Sequence, residues 1–224
     1  SDIFATQGFT DPEDLLPMVM AWQSLIDSIR PEIIVSDYSP TLCLAAWGVT
    51  PMVIVGDGFT TPPEDTPVFP ALRPSAPITA TQESLLAVMQ EVQRRRQRPA
   101  PATMPKLFSA AARFICTIPE LDPYRKQRHE PAAGPFSPVP PPLSPAGTPG
   151  FFAYLAADAP TFKSAVMGLA AVPFPGSFYI RRPPDSIVKM LTSKGHHVFA
   201  TPAPIIDVLK EGPLIAHHGG VGQV

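Results

Sequence analysis

Residues 30–40, RPEIIVSDYSP, decide how this chain is read. The run Ile33-Ile34-Val35-Ser36 is short and apolar on both faces, the pattern of a strand buried between helix layers in a parallel sheet. Asp37 stands at its carboxyl end, and Tyr38-Ser39-Pro40 opens a helix over Thr41 to Trp47. PMVIV at 51–55 repeats the buried-strand pattern and runs into Gly56-Asp57-Gly58-Phe59. Strand, helix and strand in roughly 25 residues make a βαβ unit, which closes right-handed. In open α/β sheets ligands bind beyond the carboxyl ends of the strands, where Asp37 and 56–59 both fall. From position alone, Asp37 is equally a functional acid and a cap for the helix that follows.

Working outward, Asp11-Pro12 with Asp14 marks a helix start, and Leu15, Val19, Trp22, Leu25, Ile26 and Ile29 form one apolar stripe. Pro17 conflicts with so early a start and moves the expected regular part toward itself. Arg30-Pro31 ends the helix, because a residue before proline avoids the helical region. Downstream, 82–98 reads as a long helix whose Arg94-Arg95-Arg96 is a solvated end complementing the helix dipole rather than a phosphate site. RFICTI at 113–118 is a further strand, followed by Pro119-Glu120-Leu121-Asp122.

Proline accounts for 32 of the 224 residues, and eight fall in PAAGPFSPVPPPLSPAGTP at 131–149. Repeated X-Pro steps exclude a helix or central strand there, so the stretch reads as an extended linker rather than a ligand for a proline-binding module. The chain therefore divides into 1–133, a linker at 134–149, and 150–224. In the last part, strands are expected at 151–155, 177–180, 197–199 and 214–216, alternating with helices at 161–171, 185–193 and 205–210. Gly195 fits a left-handed helix stop. That alternation means a second doubly wound α/β domain.

Apolar residues make up 45% and charged residues 16% of the chain, an ordinary globular composition rather than a disordered one. A net charge of −2 leaves no basic footprint for nucleic acid or an anionic membrane. No apolar run reaches the ~18 residues of a membrane span, and the reading is of a soluble, cytoplasmic protein. Cys43 and Cys116 are too few for a disulfide scaffold or a four-ligand zinc site. The pairs His196-His197 and His217-His218 have no acidic or thiol partner at ligand spacing, so no metal is expected. His196-His197 reads as a solvent-exposed strand edge.

The terminal His217-His218-Gly219-Gly220-Val221-Gly222 carries the most chemical content. Glycines after a buried strand let backbone N–H groups approach an anion, and an adjacent imidazole can donate to a phosphate oxygen. Neighbouring strand residues point to opposite faces, so the two histidines cannot serve one ligand alike.

These residues resemble a family. LIAHHGGVG at 214–222, preceded by PIIDVL at 204–209, is similar to the donor-binding segment of GT-B glycosyltransferases, the group with macrolide glycosyltransferases and UDP-glucuronosyltransferases. RPEIIVSDYSP at 30–40, VGDGFTTPP at 55–63 and IPELDPY at 118–124 agree in order with it. The resemblance implies an α/β GT-B fold, two Rossmann-like doubly wound parallel-sheet domains joined by the Pro-rich linker. It implies transfer of a sugar from a UDP- or dTDP-sugar to a small-molecule hydroxyl acceptor, with inversion and without a metal or other cofactor. His218 then matches the histidine contacting the donor phosphates, and Gly219, Gly220 and Gly222 the turn whose amides face the diphosphate. Asp37 matches the carboxylate that orients the catalytic histidine. Gly58 and Phe59 fall where such enzymes form part of the acceptor pocket.

The departures are specific. No histidine precedes His129, so the family's catalytic base has no counterpart, and Ile205 and Gln223 replace a usual glutamine and Ser/Thr. Both sheets are expected to be incomplete, and the 224 residues alone to be inactive. A sugar-nucleotide epimerase on the same architecture and a non-catalytic sugar-nucleotide-binding module are the alternatives. A serine hydrolase lacks its GxSxG, and a nicotinamide dehydrogenase its GxGxxG after an early strand.

Overall fold

The computed structural model describes residues 2–70, 78–136, 150–210 and 214–217. The chain splits into two compact units, Ser1–Ser137 and Pro138–Val224. Each has its own parallel sheet.

In the first unit a short helix α1 (Asp2–Thr6) precedes α2 (Pro12–Ile29). The Asp11 carboxylate caps α2 by accepting from the Glu13 amide at 2.8 Å. The helix begins at Pro12 and runs through Pro17, earlier than the proline suggests. Pro17 lies on the exposed face, so the Glu13 carbonyl it leaves without an amide partner can be hydrated. The opposite stripe, Leu15, Val19 and Ile26, is buried. Arg30 closes the helix in the left-handed region, φ 50°, its amide bonded to the Ile26 carbonyl.

Strand β1 (Ile34–Ser36), helix α3 (Pro40–Ala46) and strand β2 (Met52–Gly56) then form the βαβ unit. Helix α4 (Gln82–Arg95) leads back to β3 (Ala112–Ile115), and the sheet order is β1-β2-β3, all parallel. One face is buried: Ile34 and Ser36 of β1 align with Met52 and Ile54 of β2 above Leu15, Leu44, Leu85, Met89 and Phe108. The strand read as covered on both sides is covered on one. Val35 is 63% exposed and Phe114 47%, on the face where Val35 aligns with Val53 and Val55 with Phe114.

The arginine run at the end of α4 also divides. Arg94 and Arg95 pair with Glu91 on the surface, as a solvated helix end should. Arg96 instead turns inward. Its guanidinium donates to Gln23 Oε1 at 2.6 Å, to Gln93 Oε1, and to the Leu44 and Ala45 carbonyls at 3.4 and 3.2 Å. It ties α4 to α2 and satisfies the last carbonyls of α3, which have no partner within their own helix.

The second unit carries β4 (Phe151–Ala156), α5 (Phe162–Leu169), β5 (Gly176–Arg181), α6 (Asp185–Ser193), β6 (His197–Phe199), α7 (Ile205–Lys210) and β7 (Leu214–His217). Its order is β6-β5-β4-β7, again all parallel. Phe151, Phe178, Ile180, Val166 and Leu191 fill the core. Gly195 takes φ 81° and ends α6 as a left-handed stop. His196 contradicts the exposed edge expected of it: it is 6% exposed, packs against the Phe151 and Phe178 rings, and its Nδ1 accepts from the Gly176 amide at 3.1 Å. The burial follows from that bond, because β5 begins at Gly176 and its first amide needs an acceptor. His197, the next residue, is exposed.

No described helix is long and apolar enough to cross a membrane. Arg96→Ala is expected to cost about 1.5–3 kcal/mol in urea unfolding, the scale of charge-assisted hydrogen bonds. Arg94→Ala should leave the midpoint unchanged, since its partner is a surface carboxylate.

Candidate functional site

Strands β1 and β2 run parallel, Ser36 at the end of β1 aligned with Ile54 two residues before the end of β2, so Asp37 and the loop after Gly56 share one edge of the sheet. A Cβ built on Gly56 would lie 2.5 Å from Thr60 Oγ1, 2.7 Å from Thr61 Oγ1 and 3.1 Å from Asp37 Oδ1. An acid and two hydroxyls therefore converge over the bare backbone of Gly56. Only glycine leaves them room.

The Asp37 carboxylate does not cap α3. The cap position is Ser39, which makes no side-chain cap bond, and Asp37 lies two residues earlier, exposed at the end of β1. Tyr38 turns the chain there with φ 36°, a left-handed conformation that costs a non-glycine residue. Its ring stacks on Phe108, centroids 6.2 Å apart, within a cluster that also holds Phe4 and Phe69. Gln82 holds Phe69 in place, accepting from its amide at 2.7 Å and donating to its carbonyl at 3.0 Å.

Residues 57–61 form a turn organised by Asp57, whose Oδ1 accepts from the Thr60 amide at 2.7 Å and whose carbonyl accepts from the Thr61 amide at 3.1 Å. Phe59 is 42% exposed at its tip. Gly58 is packed from outside: a Cβ there would meet Asp122 Oδ1 at 2.7 Å. Thr61 is fully buried, and its hydroxyl has no hydrogen-bond partner. Asp122 pairs with Arg128, and Tyr124 is buried beneath the Arg128 guanidinium. Burial raises both phenols. That of Tyr124 is pushed up to about 12, with the nearby Tyr38 phenol adding to it, and that of Tyr38 rises above its usual value. Both remain neutral hydroxyls at ordinary pH.

The structure thus brings Asp37 together with the 56–61 loop and leaves Phe59 open to solvent. Gly58 lies in that loop, with its α-carbon against Asp122 rather than at the surface. His218, Gly219, Gly220 and Gly222 lie outside the described residues; β7, the strand before them, pairs in parallel with β4, His217 aligned with Tyr154. At the carboxyl edge of β4 and β5, Arg181 donates to both Asp158 oxygens at 2.9 and 3.0 Å, which lowers the Asp158 pKa. Among the described residues no group of three or more His, Cys, Asp and Glu could hold a metal ion.

No protein-family model matches this sequence, and no curated protein does. A solved structure does: the crystal structure of the glycosyltransferase SnogD from Streptomyces nogalater. This chain shares a glycosyltransferase's fold. The likeness covers 95% of this chain at a TM-score of 0.53 and 16% identity, and the match spans 58% of the length of SnogD. At that identity it is a likeness of α/β fold, and it agrees with the GT-B-type architecture that the motifs at 30–40, 55–63, 118–124 and 214–222 suggest.

Sequence reading missed Thr60, Thr61, Tyr38, Asp122, Tyr124 and Arg128 as parts of this edge. Asp122 and Tyr124 stand inside the quoted IPELDPY, and the two threonines inside VGDGFTTPP. Arg128 carries no spacing signal at all. Two measurements test the site's construction. Gly56→Ala should destabilise by about 1–3 kcal/mol, because the added methyl meets three oxygens. The raised Tyr124 pKa means the folded state holds a proton that the unfolded state releases, so its contribution is lost as pH rises from 10 toward about 12. Alkaline denaturation should therefore begin in that window, and Tyr124→Phe should flatten the loss there.

Proposed function

We propose that this chain is part of a glycosyl-transfer system acting on a nucleotide-diphosphate sugar and a hydroxyl-bearing small molecule. The carboxyl edge of β1 and β2 takes the acceptor, and residues 218–222 take the donor diphosphate. The observation that carries the reading is the convergence of the Asp37 carboxylate with the Thr60 and Thr61 hydroxyls over Gly56, in a fold shared over 95% of the chain with a glycosyltransferase.

The chemistry follows from the groups present. An acceptor hydroxyl must lose a proton as it attacks the anomeric carbon, and the C–O bond to the diphosphate breaks as the new one forms. Beside that hydroxyl a carboxylate can orient a base and stabilise the cation that the base becomes. Asp37 is assigned that role. The hydroxyls of Thr60 and Tyr38 supply neutral hydrogen bonds to a polar acceptor, and Phe59 an apolar surface. The departing diphosphate is stabilised by the His218 imidazole and by the amides of Gly219, Gly220 and Gly222, in the manner of an oxyanion site and without a cation. Inversion follows from a single displacement. The donor in this reading is a UDP- or dTDP-sugar, and no resident cofactor is invoked.

No histidine precedes His129, and the base of this scheme is not among residues 1–128. The 224 residues are accordingly expected to bind UDP without turning over UDP-glucose. Turnover by this chain with UDP-glucose and a phenol would contradict the assignment of the base. In a polypeptide that supplies the base, Asp37→Ala should lower kcat by about 10²–10⁴. Turnover near wild type would remove Asp37 from the mechanism, and product formed from donor alone would favour an epimerase.

A further inference from the structure

The loop that carries Phe59 and Thr60 has little apolar packing of its own. Between Gly56 and Thr61 the one large apolar side chain is Phe59, and it is 42% exposed. The hold on the loop comes instead through its carbonyl groups. Arg128 Nη2 donates to the Gly58 carbonyl at 3.0 Å and to the Thr61 carbonyl at 2.8 Å. One residue further, Arg113 Nη2 donates to the Pro62 carbonyl at 2.5 Å.

Arg128 is itself fixed. Its side chain is 3% exposed and that of Asp122 is 5%; Asp122 Oδ2 accepts from Nε, and Oδ1 accepts from Nη2 at 3.3 Å. Asp122 in turn is oriented by the Tyr124 amide, which donates to Oδ1 at 2.9 Å. Glu130 joins the two arginines by charge: it accepts from Arg113 Nε at 2.6 Å and lies 3.5 Å from Arg128 Nη1, which makes no hydrogen bond. The absent side chain of Gly58 completes the fit, since a Cβ would lie 2.7 Å from Asp122 Oδ1 and 3.0 Å from its Cα.

Burying this charge pair is a costly way to anchor a loop. Apolar side chains of similar volume often hold a fold as well or better. A planar guanidinium gives what apolar packing does not: directed bonds that set the two carbonyls, and so the path of the chain between them. We propose that Arg128, locked by Asp122, is a positioning residue that fixes the 57–61 turn and thereby holds Thr60 beside Asp37 and Phe59 at the exposed tip of the turn. Its link to an acceptor rests on the glycosyl-transfer reading; the positioning itself does not.

Two readouts separate these. The first is amide hydrogen exchange on the 224-residue chain without any ligand. In Arg128→Lys, which keeps the charge and loses the fork, exchange at the Thr60 and Thr61 amides should quicken by about tenfold, with the amides of β2 and β3 unchanged. Asp122→Asn should do the same, and serves if the lysine variant does not fold. Wild-type exchange in both variants, or equal quickening across the whole sheet, overturns the proposal: the arginine is then ordinary packing. The second readout is the affinity for 4-methylumbelliferone as a phenolic probe, with UDP as control. Arg128→Lys should weaken the phenol about tenfold and leave UDP unchanged. A wild-type chain that binds no phenol, yet whose loop loosens in the variants, overturns the acceptor reading and leaves the clamp standing.

Discussion

Neighbouring parallel strands point their carboxyl ends the same way. Whatever follows β1 and whatever follows β2 are therefore delivered to one edge of the sheet, however far apart they lie in sequence. Asp37 and Thr61 meet at Gly56 for that reason, and the rest of the first unit supports the meeting. Gly56 leaves the space, Tyr38 accepts a left-handed backbone to turn the chain away, and the stacked Phe108 holds the tyrosine in that turn. The local strain at Tyr38 is sustained by core packing elsewhere.

The first unit also shows two uses of arginine. Arg94 and Arg95 sit on the surface with Glu91, where ion pairs contribute little. Arg96, Arg113 and Arg128 face inward and donate to backbone carbonyls, of α3 for the first and of the chain after β2 for the other two. Guanidinium donors taken out of water need acceptors, and the loops and helix ends nearby have carbonyls without partners; of these donors Arg128 Nη1 finds none. The match between those two needs is what lets irregular chain lie close to the sheet. It also explains why one arginine run yields a solvated end and a half-buried clamp, which charge alone does not distinguish.

Much of the fold was legible because apolar runs bounded by Pro, Gly and Asp are strong signals. Ile33–Ser36, 51–55 and 151–155 each lie in or overlap a parallel strand. The errors have physical causes. Pro17 does not delay α2, because it stands on the hydrated face. His196 is buried, because pairing to the Gly176 amide is a tertiary event that the dipeptide His-His does not announce. The apolar pattern of β1 reports what both its faces prefer, and the structure covers only one. At the candidate site, Asp37 and Phe59 could be named from the strand-end rule and the resemblance. Thr61 and Arg128 could not, because their roles depend on a loop path that forms only when residues 58 and 128 meet.

The central claim is that the edge holding Asp37 and the 56–61 turn is where a hydroxyl-bearing ligand sits. The most direct measurement is amide chemical-shift mapping of the isotope-labelled chain titrated with 4-methylumbelliferone. The account predicts shifts gathered on Asp37, Tyr38, Gly56 and residues 58–61, saturating together. Saturable shifts gathered on the second unit, or on the exposed Val35–Phe114 face, with those residues unmoved, would contradict it.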